Sequence, residues 1–224
     1  MNIPIDLLYD SSITCIACSK AFTIKKVRKT RLRLKSRDTD TCPHYEGDIN
    51  PLFYDFFTCP VCGTVFTEIH TATYEKQRLK LKAVFKNMSN TSHLMGKRSV
   101  EDALRLAKLA LVTSQILESK PSVLASLCMK IAWFCRYSGN TAEENKFLEH
   151  SAGHYEKVYY SSDDSLPEAN VMFMLGELNY RVNGYEKARP WFGKLIGMDK
   201  SNPMVKKGIE RWQDIKMEEE KNRS

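Results

Sequence analysis

Two Cys-x-x-Cys turns, Cys15-Ile16-Ala17-Cys18 and Cys59-Pro60-Val61-Cys62, constrain the fold of this chain more than any other feature. Each turn aims two thiolates at one point, and two such turns complete a tetrahedral shell of four sulfurs around a divalent ion. Any fold that uses the shell must therefore bring residues 15–18 against residues 59–62. In the second turn Pro60 stiffens the backbone, and Gly63 can take the positive φ that follows the second ligand. The expectation is a structural Zn2+ held by Cys15, Cys18, Cys59 and Cys62. A dithiol redox pair is the competing reading, but the βαβ pattern that usually carries one is missing. A closed four-thiolate shell also leaves no open position for a substrate, which argues against metal catalysis.

Composition narrows the setting. The chain has 224 residues and a formal charge of +7. Residues 1–98 hold 16 Lys and Arg against 9 Asp and Glu, whereas residues 99–224 hold 18 of each, so the whole excess lies in the cysteine-bearing part. Four thiolates around one Zn2+ would lower it to about +5. An acidic partner or a nucleic acid is thus conceivable for the front part only. No run approaches the ~18 consecutive apolar residues of a membrane span. The start, Met1 to Asp6, has neither the basic nor the long apolar region of a secretory signal. Metal-bound cysteines in such a chain fit a reducing compartment, so a cytoplasmic protein is expected.

The hydropathy pattern divides the chain into a β-rich front and a helical back. Phe22 to Ser36 reads as extended chain, with strict alternation from Arg31 to Lys35. Asn50 to Thr58 reads as an aromatic strand entering the second cysteine turn, and Val65 to Thr71 as the strand leaving it. Tyr74 to Phe85 suits a connecting helix, and Asn87 to Ser92 breaks the pattern as a boundary. From Ser99, a cap with Asp102 three residues on, apolar residues recur at helical spacing: Ala103, Leu106, Ala107, Ala110 and Leu111. Further helices begin at Pro121, follow Gly139-Asn140, span Val171 to Val182 and Tyr185 to Met198, and end from Pro203 to about Glu220. The polar stretch Ser161 to Pro167 is a loop. The fold class is therefore α+β, with a small N-terminal zinc ribbon over residues 1–86 and an all-α antiparallel helical domain over 99–224.

Other chemistry-bearing residues have two readings each. Cys42 and His44, between the cysteine pairs, are candidates for an additional metal ligand or for a packed loop. Asp38, Asp40 and His44 have acid–base residue types, the basis of an alternative reading as an enzyme. Lys20 to Arg37 carries nine cations and no acid. On one extended face Lys29, Arg31, Arg33, Lys35 and Arg37 would project together beside Phe53, Tyr54, Phe56 and Phe57. That basic ribbon, Lys25 to Arg37, would suit single-stranded nucleic acid; the competing reading is a solvated charge face over an aromatic core. His150 and His154 share a helical face but lack the glutamate of a metalloprotease helix, and Cys128 and Cys135 read as small core residues.

Two resemblances extend this reading. Leu175-Gly176, Tyr180, Gly184-Tyr185-Glu186-Lys187-Ala188, Phe192 and Asp199 to Pro203 resemble a tetratricopeptide repeat. There, small residues sit where two helices touch and aromatics fill the space between them. The chain as a whole resembles a bacterial family found in Bacillota, domain-of-unknown-function family 2225. The matching features are Cys15 and Cys18, Arg37-Asp38-Thr39-Asp40 leading to Cys42-Pro43-His44-Tyr45, Asn50 to Tyr54, and Cys59 to Gly63. The resemblance implies the zinc-bearing front and helical back but no reaction. The expectation is a non-catalytic protein whose stacked helices bind a protein partner, with nucleic acid as the alternative partner, no membrane, and the oligomeric state open.

Overall fold

The structure, a computed structural model, describes residues 6–72, 74–87, 94, 96–161 and 166–223. Among these residues a small strand-rich region precedes seven α-helices, a mixed α+β fold that is mostly helical. Three two-stranded sheets pair consecutive strands: β1 (Leu8–Thr14) with β2 (Ala21–Val27), β3 (Leu34–Arg37) with β4 (Pro43–Tyr45), and β5 (Phe57–Thr58) with β6 (Val65–Phe66). In β2, Phe22 and Ile24 are buried while Ala21 and Thr23 face solvent, the alternation of a half-buried strand.

Two expected strands are corrected. The segment from Phe22 to Ser36 is not one extended run. β2 ends at Val27, opposite Leu8, the first residue of β1, and one further bond from the Arg28 amide to the Leu7 carbonyl follows that pair. Lys29–Arg31 then forms a 3-10 turn before β3 begins. The aromatic stretch from Asn50 is also mostly helical. The Asn50 side chain accepts the Leu52 amide at 3.0 Å and Pro51 presets the first turn, so Pro51–Tyr54 is a 3-10 helix and only Phe57 and Thr58 pair as strand. The exit strand is likewise short, because a turn from Thr67 to His70 ends it.

The helices follow their apolar stripes. They are α1 (Glu75–Phe85), α2 (Val100–Ile116), α3 (Pro121–Tyr137), α4 (Thr141–Tyr160), α5 (Glu168–Asn183), α6 (Tyr185–Ile196) and α7 (Pro203–Arg223). Ser99 and Asp102 cap α2 reciprocally, each side chain accepting the other's amide. Residues 88–92 of the expected boundary and 162–165 of the expected polar loop lie outside the described residues. None of the described helices is long and apolar enough to cross a membrane.

Packing groups the chain into two compact units that interleave along the sequence, unlike the expected linear division at 86 and 99. The first draws on Met1–Ser36, Pro43–Ser119 and Trp133–Gly139, the second on Arg37–Cys42, Lys120–Ala132 and Asn140–Ser224. In the first, Phe66 takes Phe22 and Phe57 edge-on, at 6.2 and 5.8 Å between ring centres, and Phe134 packs against Phe53 and Phe56. The helix α2 joins this unit because Thr113 donates its hydroxyl to the Val65 carbonyl at 2.5 Å. In the second unit α5, α6 and α7 enclose Met172, Phe173, Phe192, Leu195, Val205 and Ile215. Gly176 lets α5 and α6 approach: a Cβ there would meet the Phe192 ring at 2.8 Å.

Candidate metal centre

Both Cys-x-x-Cys segments are turns of antiparallel hairpins, the first joining β1 to β2 and the second joining β5 to β6. Their backbones are equivalent. The amide of residue 19 or 63 reaches the carbonyl of the first cysteine, and that cysteine's own amide reaches the carbonyl of residue 20 or 64, all at 2.9–3.0 Å. The residue after the second cysteine has positive φ in each, 73° at Gly63 and 59° at Ser19. Gly63 meets that requirement as its sequence suggests; Ser19 meets it against the usual preference of a side chain.

The two turns bring four sulfurs together. Cys15 Sγ lies 3.6 Å from Cys62 Sγ and Cys18 Sγ lies 3.6 Å from Cys59 Sγ, and all four fall within 4.8 Å of one another. Those distances are far beyond the ~2.0 Å of a disulfide bond. Cys15 and Cys59 are buried, Cys18 and Cys62 half-buried. Burial pushes the Cys15 thiol well above the ordinary thiol range and that of Cys59 up to about 11. Burial acts the same way on Cys62 but is outweighed by hydrogen bonds from the Thr64 hydroxyl, 3.2 Å away, and the Thr64 backbone, so that this thiol lies below the ordinary thiol range. A cation at the centre reverses the balance, because a coordinating thiol is deprotonated outright. Four convergent sulfurs with complementary supporting donors can hold a metal ion.

The remaining candidates fall elsewhere. Cys42 and His44 are outside the four-sulfur group. Cys42, in the second unit, is buried, with its amide on Asp40 Oδ1 at 3.2 Å; His44, in the first, meets the Tyr137 ring edge-on at 5.8 Å. Asp40 is fully buried and faces Arg181 Nη2 at 3.9 Å. Beside it Thr39 donates to Glu177 and accepts from Arg181 at 2.7 Å. Glu177, also fully buried, takes Arg181 Nε and Arg211 Nε at 2.8 Å each. Asp40 and Thr39 thus belong to a satisfied internal charge network.

The cationic stretch does not form one face. Lys29 and Arg31 lie in the 3-10 turn and Lys35 and Arg37 on β3, while Lys29 faces Asp55 at 3.8 Å and Arg33 faces Glu46 at 3.5 Å. His150 is exposed and touches Phe147, and Cys128 and Cys135 are core residues as expected. Burial holds the Cys128 thiol up at about 12.

Two residues that carry the first unit were not apparent in the sequence. His70 accepts the Thr67 amide at Nδ1 and therefore donates from Nε2 to Ser114 Oγ, 2.5 Å away. Burial lowers its pKa to about 4. Arg98, buried, gives its guanidinium to the carbonyls of Phe53, Phe56 and Leu94 at 2.8–3.0 Å, with the Tyr54 ring beneath it. Their partners are more than forty residues away apart from Thr67 and Leu94, and no local spacing announces such pairs.

Residues 8–217 match a family described as an uncharacterized protein conserved in bacteria (DUF2225). No curated protein and no solved structure matches the chain.

Proposed function

We propose a function for this chain as what its sequence match makes it, a member of the uncharacterized bacterial family DUF2225: a non-catalytic protein with a structural zinc ion and a helical scaffold for a protein partner. The four sulfurs carry the metal half of this reading. A tetrahedral shell with Zn–S bonds of about 2.3 Å sets neighbouring sulfurs about 3.8 Å apart, and two of the pairs stand at 3.6 Å. Cys15, Cys18, Cys59 and Cys62 would hold the ion, with the amide of Ala17 on Cys15 and the hydroxyl of Thr64 beside Cys62 as outer support. The ion would join two two-stranded hairpins, each marginal alone, and structural zinc in comparable peptides contributes roughly 10–16 kcal/mol of apparent binding energy.

The helical half supports the scaffold reading. Close packing of α5 and α6 supports a tetratricopeptide-like reading: Gly176 lies against the Phe192 ring, and Ala188 and Phe192 are fully buried. Stacked helices of this kind bind peptides without a catalytic constellation. A reducing, cytoplasmic setting follows from four thiolates kept on a metal. Affinity capture with the intact, zinc-loaded protein tests the reading: one protein retained in nuclease-treated and high-salt washes is expected. Retention that vanishes with nuclease or moderate salt would favour nucleic acid instead.

A further inference from the structure

The second unit carries an open groove of about 510 Å³ lined by Tyr185, Arg189, Pro190, Gly193, Trp212 and Lys216. We propose that this groove docks an acidic peptide segment of a partner protein, an aromatic side chain entering over Gly193 to meet the edge of Trp212 and flanking carboxylates meeting Arg189 and Lys216. The inference rests on the scaffold reading above and specifies its partner.

Three observations carry it. The first is charge: the lining has two cations and no acid, and among the described residues neither Arg189 nor Lys216 has a carboxylate partner. The second is the wall. Trp212 stacks between Tyr185 and Phe192, with ring centres 4.8 and 5.3 Å away and planes within 24°, while Lys216 sits 5.7 Å from its ring. With both ring faces covered and only 7% of Trp212 exposed, this ladder offers the groove a ring edge, suited to an edge-to-face contact with an aromatic group, and Lys216 stands beside it for a flanking negative charge. The third is the helix α6 itself, which violates its own preferences on this face. Glycine is disfavoured inside a helix unless packing requires it. Gly176 and Gly208 are so required, since a Cβ would run into Phe192 in one case and Leu195 in the other. At Gly193 a Cβ would meet nothing within 4 Å. Three residues earlier, Pro190 removes the amide that would have bonded the Glu186 carbonyl. Departures from local consistency that bring no packing gain occur at functional or strained sites; Gly153 in α4 is equally open, but only Gly193 lines the groove. Here the missing side chain at Gly193 keeps the floor of the groove low.

The test uses two labelled hexapeptides and the intact protein. Acetyl-Glu-Phe-Glu-Glu-Phe-Glu-amide is titrated by fluorescence polarisation beside its lysine counterpart, Acetyl-Lys-Phe-Lys-Lys-Phe-Lys-amide. The acidic peptide should bind and the lysine peptide should not. Gly193→Leu, whose Cβ would meet nothing within 4 Å and whose side chain would enter the groove, and the pair Arg189→Glu with Lys216→Glu should each weaken binding about tenfold or more. Their circular dichroism should stay like that of the unaltered protein and their melting temperatures should not fall. Equal binding of both peptides, or unchanged binding by the variants, overturns the proposal. A partner captured equally well by the unaltered protein and both variants overturns the groove while leaving the scaffold standing. If the unaltered protein captures no protein and binds neither peptide, both readings fall.

Discussion

His70 shows how one side chain commits a whole turn to a protonation state. It must stay neutral to accept the Thr67 amide, and its remaining proton is donated to Ser114. Unfolded, it takes up a proton as pH falls below 6.5, whereas folded it resists until about pH 4. Its contribution is therefore complete above pH 6.5 and is lost as pH falls from there towards 4, by about 3 kcal/mol in all. Urea unfolding of the protein and of His70→Gln across that range should show the difference in their stabilities changing with pH; parallel curves would contradict the assignment. Arg98 makes a different demand. Three backbone carbonyls depend on its guanidinium, and Arg98→Met should cost about 3 kcal/mol in the same measurement by leaving them unpaired.

The helices make the contrast between two glycines testable. Gly176→Ala forces a methyl to 2.8 Å from the Phe192 ring and should destabilise the protein by about 1–3 kcal/mol, read as a lower melting temperature. Gly193→Ala meets open space and should stabilise it by up to about 1 kcal/mol through helix propensity. If both shift melting in the same direction, the packing account of α5 and α6 is wrong. Much of this level was legible beforehand. The stripe through Ala103, Leu106, Ala107 and Ala110 is buried and the Ser99 cap is in place. Strands were harder, because a strand exists only where a partner runs beside it. The alternation at Arg31 to Lys35 could not reveal that β1 stops opposite Val27. Asn50-Pro51 did carry the signal of its 3-10 helix, but the aromatic run that follows outweighed it.

Over the whole molecule, the four cysteines could be assigned to one cluster because their spacing already encodes two convergent turns. The roles of Thr39, Asp40 and Glu177 could not, since Thr39 and Glu177 meet across 138 residues and only folding brings them together. The same holds for the compact units, which interleave because Thr39 joins Glu177 and Arg181 within the second unit while Phe134 packs against Phe53 and Phe56 within the first. In this account a single ion fastens the two cysteine hairpins of that front. Metal analysis of reduced, purified protein, paired with amide hydrogen exchange before and after chelation, addresses it most directly. One zinc per chain is predicted, with protection in residues 8–27 and 57–66 lost when the chelator removes it. Protein that contains no stoichiometric metal yet keeps that protection would contradict the claim.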